Sequence, residues 1–279
     1  MTLQALSRRS VLMLFAAMSV ALAAGLLAWG PVVLAPDAHH HADTHALGSV
    51  ANLVVTLTGV PMLLVGLWGW KAVRRSCWTL SVRRPWSRFF ASVSLWGSIS
   101  CLYALTPVGS ASFVLAHAVA ASGSSLVLLA FLAERVDARF GSMKACAGAV
   151  IAAGIATGVW WLDTASQGAG DLRALMLLGI LPLLLIPAGA LDLRGRYTSA
   201  ADWVLLLSLY AVARVCNLSD GSILEWSGWI SGQTLMQLGT TAAAAWIALR
   251  CSQAAGRTGQ GFGSFGDSNQ RKASLNTSF

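Results

Sequence analysis

Gln233 and Gln237 stand four residues apart in an otherwise apolar run, so their amides share one face of a helix. Ser231 and Thr234 lie in the same stretch. Three further apolar runs carry polar side chains. One has Ser98, Ser100, Cys101 and Tyr103, the next His117 and Ser122 to Ser125, and a third Arg214 and Asn217. Amides and hydroxyls exchange hydrogen bonds without ionising near neutral pH. Taken singly, each of these groups reads as a bond between packed helices. Arg214 lies about one turn from the end of its run and can snorkel, or pair with Asp220 or Glu225.

A second group is His39, His40, His41 and His45, flanked by Asp37 and Asp43. Imidazoles this close can capture a transition metal loosely. No rigid element holds them, so they read as a solvated loop with weak surface affinity for metal. The five Cys (77, 101, 146, 216 and 251) are scattered without a Cys-x-x-Cys pair, and suggest neither a disulfide framework nor a zinc knuckle.

The elements that carry these groups follow from composition. Of the 279 residues, 56% are hydrophobic and only 11% charged. A soluble domain has roughly 25% charged residues. This excludes an ordinary cytosolic enzyme, a disordered chain, a secreted disulfide scaffold and a nucleic-acid binder, and leaves an integral membrane protein. A membrane-crossing helix needs about 20 apolar residues. Eight such runs occur, at 11–35, 47–70, 89–106, 111–133, 145–162, 174–191, 203–218 and 228–249. With both termini cytoplasmic, all 19 Lys and Arg but two fall in cytoplasmic segments, Arg173 being outside and Arg214 within a span. Most of the 12 Trp, among them Trp160, Trp203, Trp226 and Trp229, fall near span ends, where amphipathic rings anchor. Gly148, Gly154 and Gly158 in the fifth span are expected to allow close helix approach.

Three regions follow. Residues 1–46 form an N-terminal anchor helix and the His-rich outer loop, 47–250 the transmembrane bundle, and 251–279 a disordered cytoplasmic tail rich in Gly, Ser, Asn and Gln. Ser7-Arg8-Arg9-Ser10 looks like a twin-arginine export signal. The apolar run behind it is about 25 residues, longer than the 7–15 of a signal peptide, and reads as an uncleaved anchor.

Several stretches, in order, resemble the bacterial branch of the alkaline ceramidase family within the CREST superfamily of membrane hydrolases. They are Asn52 with Pro61 to Gly69; Phe89-Phe90 followed by Ser100, Tyr103, Leu105 and Pro107; Ala133-Glu134-Arg135; Gly170-Asp171-Leu172-Arg173; Pro182 to Pro187; Tyr210-Ala211 with Arg214; and Ser231-Gly232-Gln233-Thr234-Leu235. The resemblance covers the chain from about His41 to Arg250. It implies an all-α polytopic membrane bundle, a seven-helix ceramidase-like core preceded here by one anchor helix. It also implies zinc-dependent cleavage of the amide bond of ceramide. There three His hold the zinc and a Ser and an Asp assist, the metal lowering the pKa of its bound water to about 7.

The family's Ser matches Ser100. Its first His falls at Ala104, its Asp at Leu115, and its last two His at Gln233 and Gln237. Polar positions of the second span fall at Val55 and Gly59. A catalytic zinc needs three protein ligands. Loss of the cation's ligands together with the buried carboxylate avoids stranding a charge. The expectation is a ceramidase-like fold without zinc or other cofactor and without hydrolase activity. Ser100, Gln233 and Gln237 would form a hydrogen-bonded remnant of the pocket, and membrane lipids, sphingolipid-like ones among them, would be the partners. An active amide hydrolase with a rearranged metal site at His117, Cys101 or the His loop is the first alternative, and a transporter the second.

Overall fold

The computed structural model describes residues 8–33, 53–105, 110–168 and 170–275. Among them the chain is helical: α1 (Arg8–Trp29), α2 (Leu53–Arg75), α3 (Leu80–Leu105), α4 (Ser110–Arg135), α5 (Met143–Gln167), α6 (Arg173–Ala190), α7 (Ala200–Leu218), α8 (Asp220–Ser227) and α9 (Gly232–Leu275). Within the described residues, each of the eight apolar runs overlaps one of the long helices. Among the described residues five segments are long and apolar enough to cross a membrane, namely Arg9–Trp29, Ser112–Arg135, Met143–Ser166, Arg173–Ala190 and Ala200–Leu218. The protein is therefore a helical bundle suited to a membrane.

Helix boundaries differ from the apolar runs where polar sequence continues a helix. α3 begins at Leu80 and takes in Arg83, Arg84 and Arg88 before its apolar part. The short helix α8 fills the link between α7 and α9, and ends at Gly228 in a left-handed conformation (φ 73°) suited to glycine. α9 runs to Leu275, past the end of the eighth apolar run and through the segment read as a tail. No proline after Pro187 interrupts its backbone hydrogen bonding.

α2 packs along both α3 and α9, and α9 also along α7. Backbones approach closely between α2 and α3. A Cβ on Gly97 would lie 2.5 Å from the Leu63 nitrogen, and one on Gly66 2.5 Å from the Ser94 nitrogen. The glycines of α5 do not do this. A Cβ on Gly148, Gly154 or Gly158 would meet nothing within 4 Å. That corrects the expectation of close approach there: they share α5 with the exposed side chains of Ile151, Ile155 and Val159, on the part of the helix that no neighbour covers.

The centre of the core is aromatic. Trp86 stacks on Trp203 at 5.7 Å between ring centroids, and Phe131 meets Trp203 edge-on at 5.2 Å. Trp160 and Trp203, expected as interfacial anchors, are buried. Trp203 Nε1 donates to Thr198 Oγ1 at 2.8 Å, so its polar edge is satisfied inside the protein rather than by water. Trp226 and Trp229 are exposed, as anchors would be.

A polar clamp borders this core. At the end of α4, Glu134 accepts the Tyr197 and Thr198 amides at 2.7 and 2.8 Å and the Thr198 hydroxyl at 2.8 Å. The next residue, buried Arg135, donates to the carbonyls of Ala190 (3.1 Å), Leu193 and Thr198 (2.8 Å). Two adjacent residues of opposite charge thus hold the whole α6–α7 connection. Asp202 extends the network: it closes a capping box with Ser199 at the start of α7, accepts Trp246 Nε1 at 3.0 Å and pairs with Arg250 at 3.0 Å. This couples the start of α7 to α9.

α1 docks on α6 through Val11 and Phe15, which are buried. Its far end is held by the α5–α6 loop. Leu172 N–H donates to the Val32 carbonyl at 2.9 Å, Asp171 accepts Val32 N–H at 3.3 Å, and Arg173 pairs with Asp171 at 2.6 Å. Partial burial would raise the Asp171 carboxyl. The hydrogen bonds from the Arg173 backbone and side chain and the Val32 amide, with the Arg173 charge, outweigh it and hold the group below the usual carboxylate range. A carboxyl depressed in the folded state contributes stability that is complete above its unfolded value, near 3.9, and is lost as pH falls through the lower folded value. Protection of the Val32 and Leu172 amides, taken relative to the intrinsic exchange rate at each pH, is expected to fall on acidification below about pH 4. In an Asp171→Asn variant that protection should be low already at pH 7, with little further change. Equal protection in variant and parent at pH 7 would rule the clasp out.

Candidate functional site

α9 presents a stripe of buried polar side chains to the middle of the bundle. Ser231, Thr234, Gln237 and Thr241 recur at intervals of three and four, which keeps them on one face over about 15 Å. The first turn is self-contained. Ser231 Oγ accepts the Thr234 amide at 3.2 Å and lies 3.2 Å from its hydroxyl, as an N-cap does. Thr241 returns its hydroxyl to the Gln237 carbonyl at 2.7 Å.

Gln237 is the residue that reaches across. It is 1% exposed, and its Nε2 donates to Ser100 Oγ of α3 at 3.3 Å. Thr58 of α2 donates its hydroxyl to Gln237 Oε1. One amide therefore uses both ends to join three helices. The junction exists because α2 and α3 lie so close. A Cβ on Gly59, beside Thr58, would stand 2.9 Å from the Gly97 carbonyl and 3.1 Å from Ser100 Cβ. Where the resemblance expects a polar side chain at Gly59, the backbone of α3 fills the space instead.

The remaining expected positions go elsewhere. Gln233 faces α7 and α8: Asn217 Nδ2 donates to its Oε1 at 2.5 Å and its own amide N–H donates to Asp220 at 2.6 Å. The four-residue spacing puts Gln233 and Gln237 on one face, but the helices opposite differ over one turn. Leu115 is 47% exposed on α4, beside a groove between α3, α4 and α5. The side chain at Ala104 lies outside the described residues, although its backbone continues α3 one turn beyond Ser100. The structure thus joins Ser100 to Gln237, and leaves Gln233 and Leu115 away from that junction. Thr58 was missed in the sequence. Its only signal was its place next to Gly59, a position the resemblance marks as polar.

The alternative metal candidates are placed as follows. His117 Nδ1 lies 2.9 Å from the Phe113 carbonyl, and its ring sits 5.1 Å from that of Trp160. Cys101 Sγ is directed at α2, 3.0 Å from where a Gly59 Cβ would be. His39, His40, His41 and His45 lie outside the described residues. Among the described residues no three His, Cys, Asp or Glu side chains gather closely enough to hold a metal. The Thr58–Gln237–Ser100 junction itself consists of neutral groups. It can pin helices or exchange hydrogen bonds with a polar ligand; it has neither a base to activate water nor a ligand set for zinc. Comparison with protein-family models, with characterised proteins and with solved structures yields no match.

Proposed function

We propose that the chain is an eight-span, ceramidase-like protein of the bacterial inner membrane, with both termini cytoplasmic. In this reading it has lost zinc amide hydrolysis and serves a lipid-binding or membrane-interaction role. The observation that carries the proposal is the 3.3 Å hydrogen bond between Gln237 and Ser100, which lie 137 positions apart in the chain. The resemblance places a zinc-ligand His and an assisting Ser at these two positions. The amide keeps a polar link between the helices, whereas an imidazole would present a lone pair to a metal.

The test is metal content and turnover of the purified, detergent-solubilised protein. Zinc is expected well below one equivalent once His39, His40, His41 and His45 are all replaced by Ala, which removes capture by the loop. Release of fatty acid from ceramide is expected at the same background rate in the parent and in Ser100→Ala. One equivalent of zinc in the loop variant, or hydrolysis that depends on Ser100, would refute the loss of chemistry.

A further inference from the structure

Arg88 lies where two surface depressions meet. One is a cleft of about 340 Å³ between the end of α2 and the start of α3, walled by Arg74, Arg83, Arg84, Ser87 and Arg88. The other is a groove of about 370 Å³ between α3, α4 and α5. It begins at Arg88 and continues past Leu126, Val150, Leu95, Gly154 and Leu115.

The two differ sharply in polarity. The cleft gathers four guanidinium groups, and the segment 71–88 contains no Asp or Glu. Among the described residues the ion pairs are Arg173 with Asp171 and Arg250 with Asp202, so none of these four arginines meets a carboxylate there. Arg74 stacks over the Trp70 ring at 4.6 Å, and Arg88 donates to the Arg84 carbonyl at 3.3 Å and to Met143 Sδ of α5 at 2.6 Å; none of these contacts compensates the positive charge. The groove is apolar. Leu95, Leu115 and Val150 are 46%, 47% and 42% exposed in it. Its two serines return their hydroxyls to their own helices, Ser92 to the Phe89 carbonyl and Ser122 to the Ala118 carbonyl, each at 2.7 Å. From Leu126 to Leu115 the groove follows α4 for about 16 Å.

We propose that this composite surface holds one anionic phospholipid, with its phosphate against the arginines of the cleft and one acyl chain in the α3–α4–α5 groove. The proposal depends on the membrane placement of these helices and is independent of the fate of the zinc site. Arginine forks match phosphate oxygens bidentately, and uncompensated arginines favour a headgroup with net negative charge over a zwitterionic one. Between apolar helices and acyl chains there is no hydrophobic driving force in a bilayer. The groove therefore sets the position of the chain, and the arginines set the choice of lipid. Arg194 and Arg196, by contrast, sit in the α6–α7 connection and border neither depression.

Native mass spectrometry of the delipidated full-length protein in detergent tests this. Phosphatidylglycerol and phosphatidylcholine with identical acyl chains are the probes. Phosphatidylglycerol is expected to be retained as a single bound molecule at least tenfold more strongly. The double variant Arg84→Gln with Arg88→Gln should bring that ratio close to one, while Arg194→Gln leaves it unchanged. Gly154→Leu fills the groove at a position where a Cβ meets nothing within 4 Å, and is expected to weaken retention of both lipids several-fold. Equal retention of the two lipids by the parent overturns the proposal. So does an Arg84/Arg88 variant that behaves like Arg194→Gln, or unaltered retention in Gly154→Leu. Displacement of phosphatidylglycerol by millimolar inorganic phosphate would assign the cleft to a free anion and overturn it as well.

Discussion

Arg135→Met is expected to destabilise the protein by about 3–5 kcal/mol, the range seen when one member of a buried charged network is removed. Methionine fills the aliphatic path of the side chain but donates nothing. The carbonyls of Ala190, Leu193 and Thr198 would all lose their donor inside the protein. Glu134 would then lie beside an unoccupied space instead of a guanidinium. Its own three bonds hold the same connection, so the α6–α7 link should become mobile as a unit. Arg135→Lys should be intermediate, since an ammonium keeps the charge but cannot span three carbonyls in one plane. The exposed Arg194 supplies the control: Arg194→Met is expected within about 0.5 kcal/mol of the parent. Thermal melting in detergent, followed by tryptophan fluorescence, reads the difference because Trp203 is bonded to Thr198 of this link. A midpoint for Arg135→Met within a degree or two of the control would show that the clamp contributes nothing.

The second large effect is expected at the α2–α3 contact. Gly97→Val places a branched side chain where even a single Cβ would stand 2.5 Å from the Leu63 nitrogen and 2.7 Å from the Gly59 carbonyl. Both are backbone atoms and cannot rotate aside, so the helices must separate. Overpacking costs about 1–3 kcal/mol, and a clash with backbone belongs at the upper end. Separation would also draw Thr58 and Ser100 away from Gln237, whose two bonds depend on both helices being in reach. Gly148→Ala makes the opposite prediction. Its Cβ meets open space, so the substitution should stabilise α5 by up to about 1 kcal/mol through helix propensity alone. Unfolding in sodium dodecyl sulfate would show the opposite signs. If Gly97→Val unfolds at the same detergent fraction as the parent, the tight α2–α3 contact is not what assembles the junction.

The positions of the helices were legible along the chain because apolar runs of membrane length are a one-dimensional signal. Several of the polar residues that matter were legible too: Ser100, Gln233, Gln237 and Asn217 stand out against apolar neighbours, whereas Thr58 did not, and Glu134-Arg135 entered only as part of a resemblance. Their partners were not. The glycines show the same limit. Gly148, Gly154 and Gly158 have the spacing of a helix contact yet line an uncovered face, while close approaches occur at other glycines, Gly59, Gly66, Gly97 and Gly232 among them.

From its residues alone, then, the protein is a bundle of membrane-suited helices with a few buried amides and hydroxyls on defined helix faces. Only the folded molecule decides that Gln237 meets Ser100 and Thr58, that Gln233 one turn earlier meets Asn217, and that Leu115 faces outward. A helix surrounded by lipid is apolar on nearly every side, because acyl chains are as apolar as the protein interior. Periodicity then says which side chains share a face and is silent about which helix that face will meet.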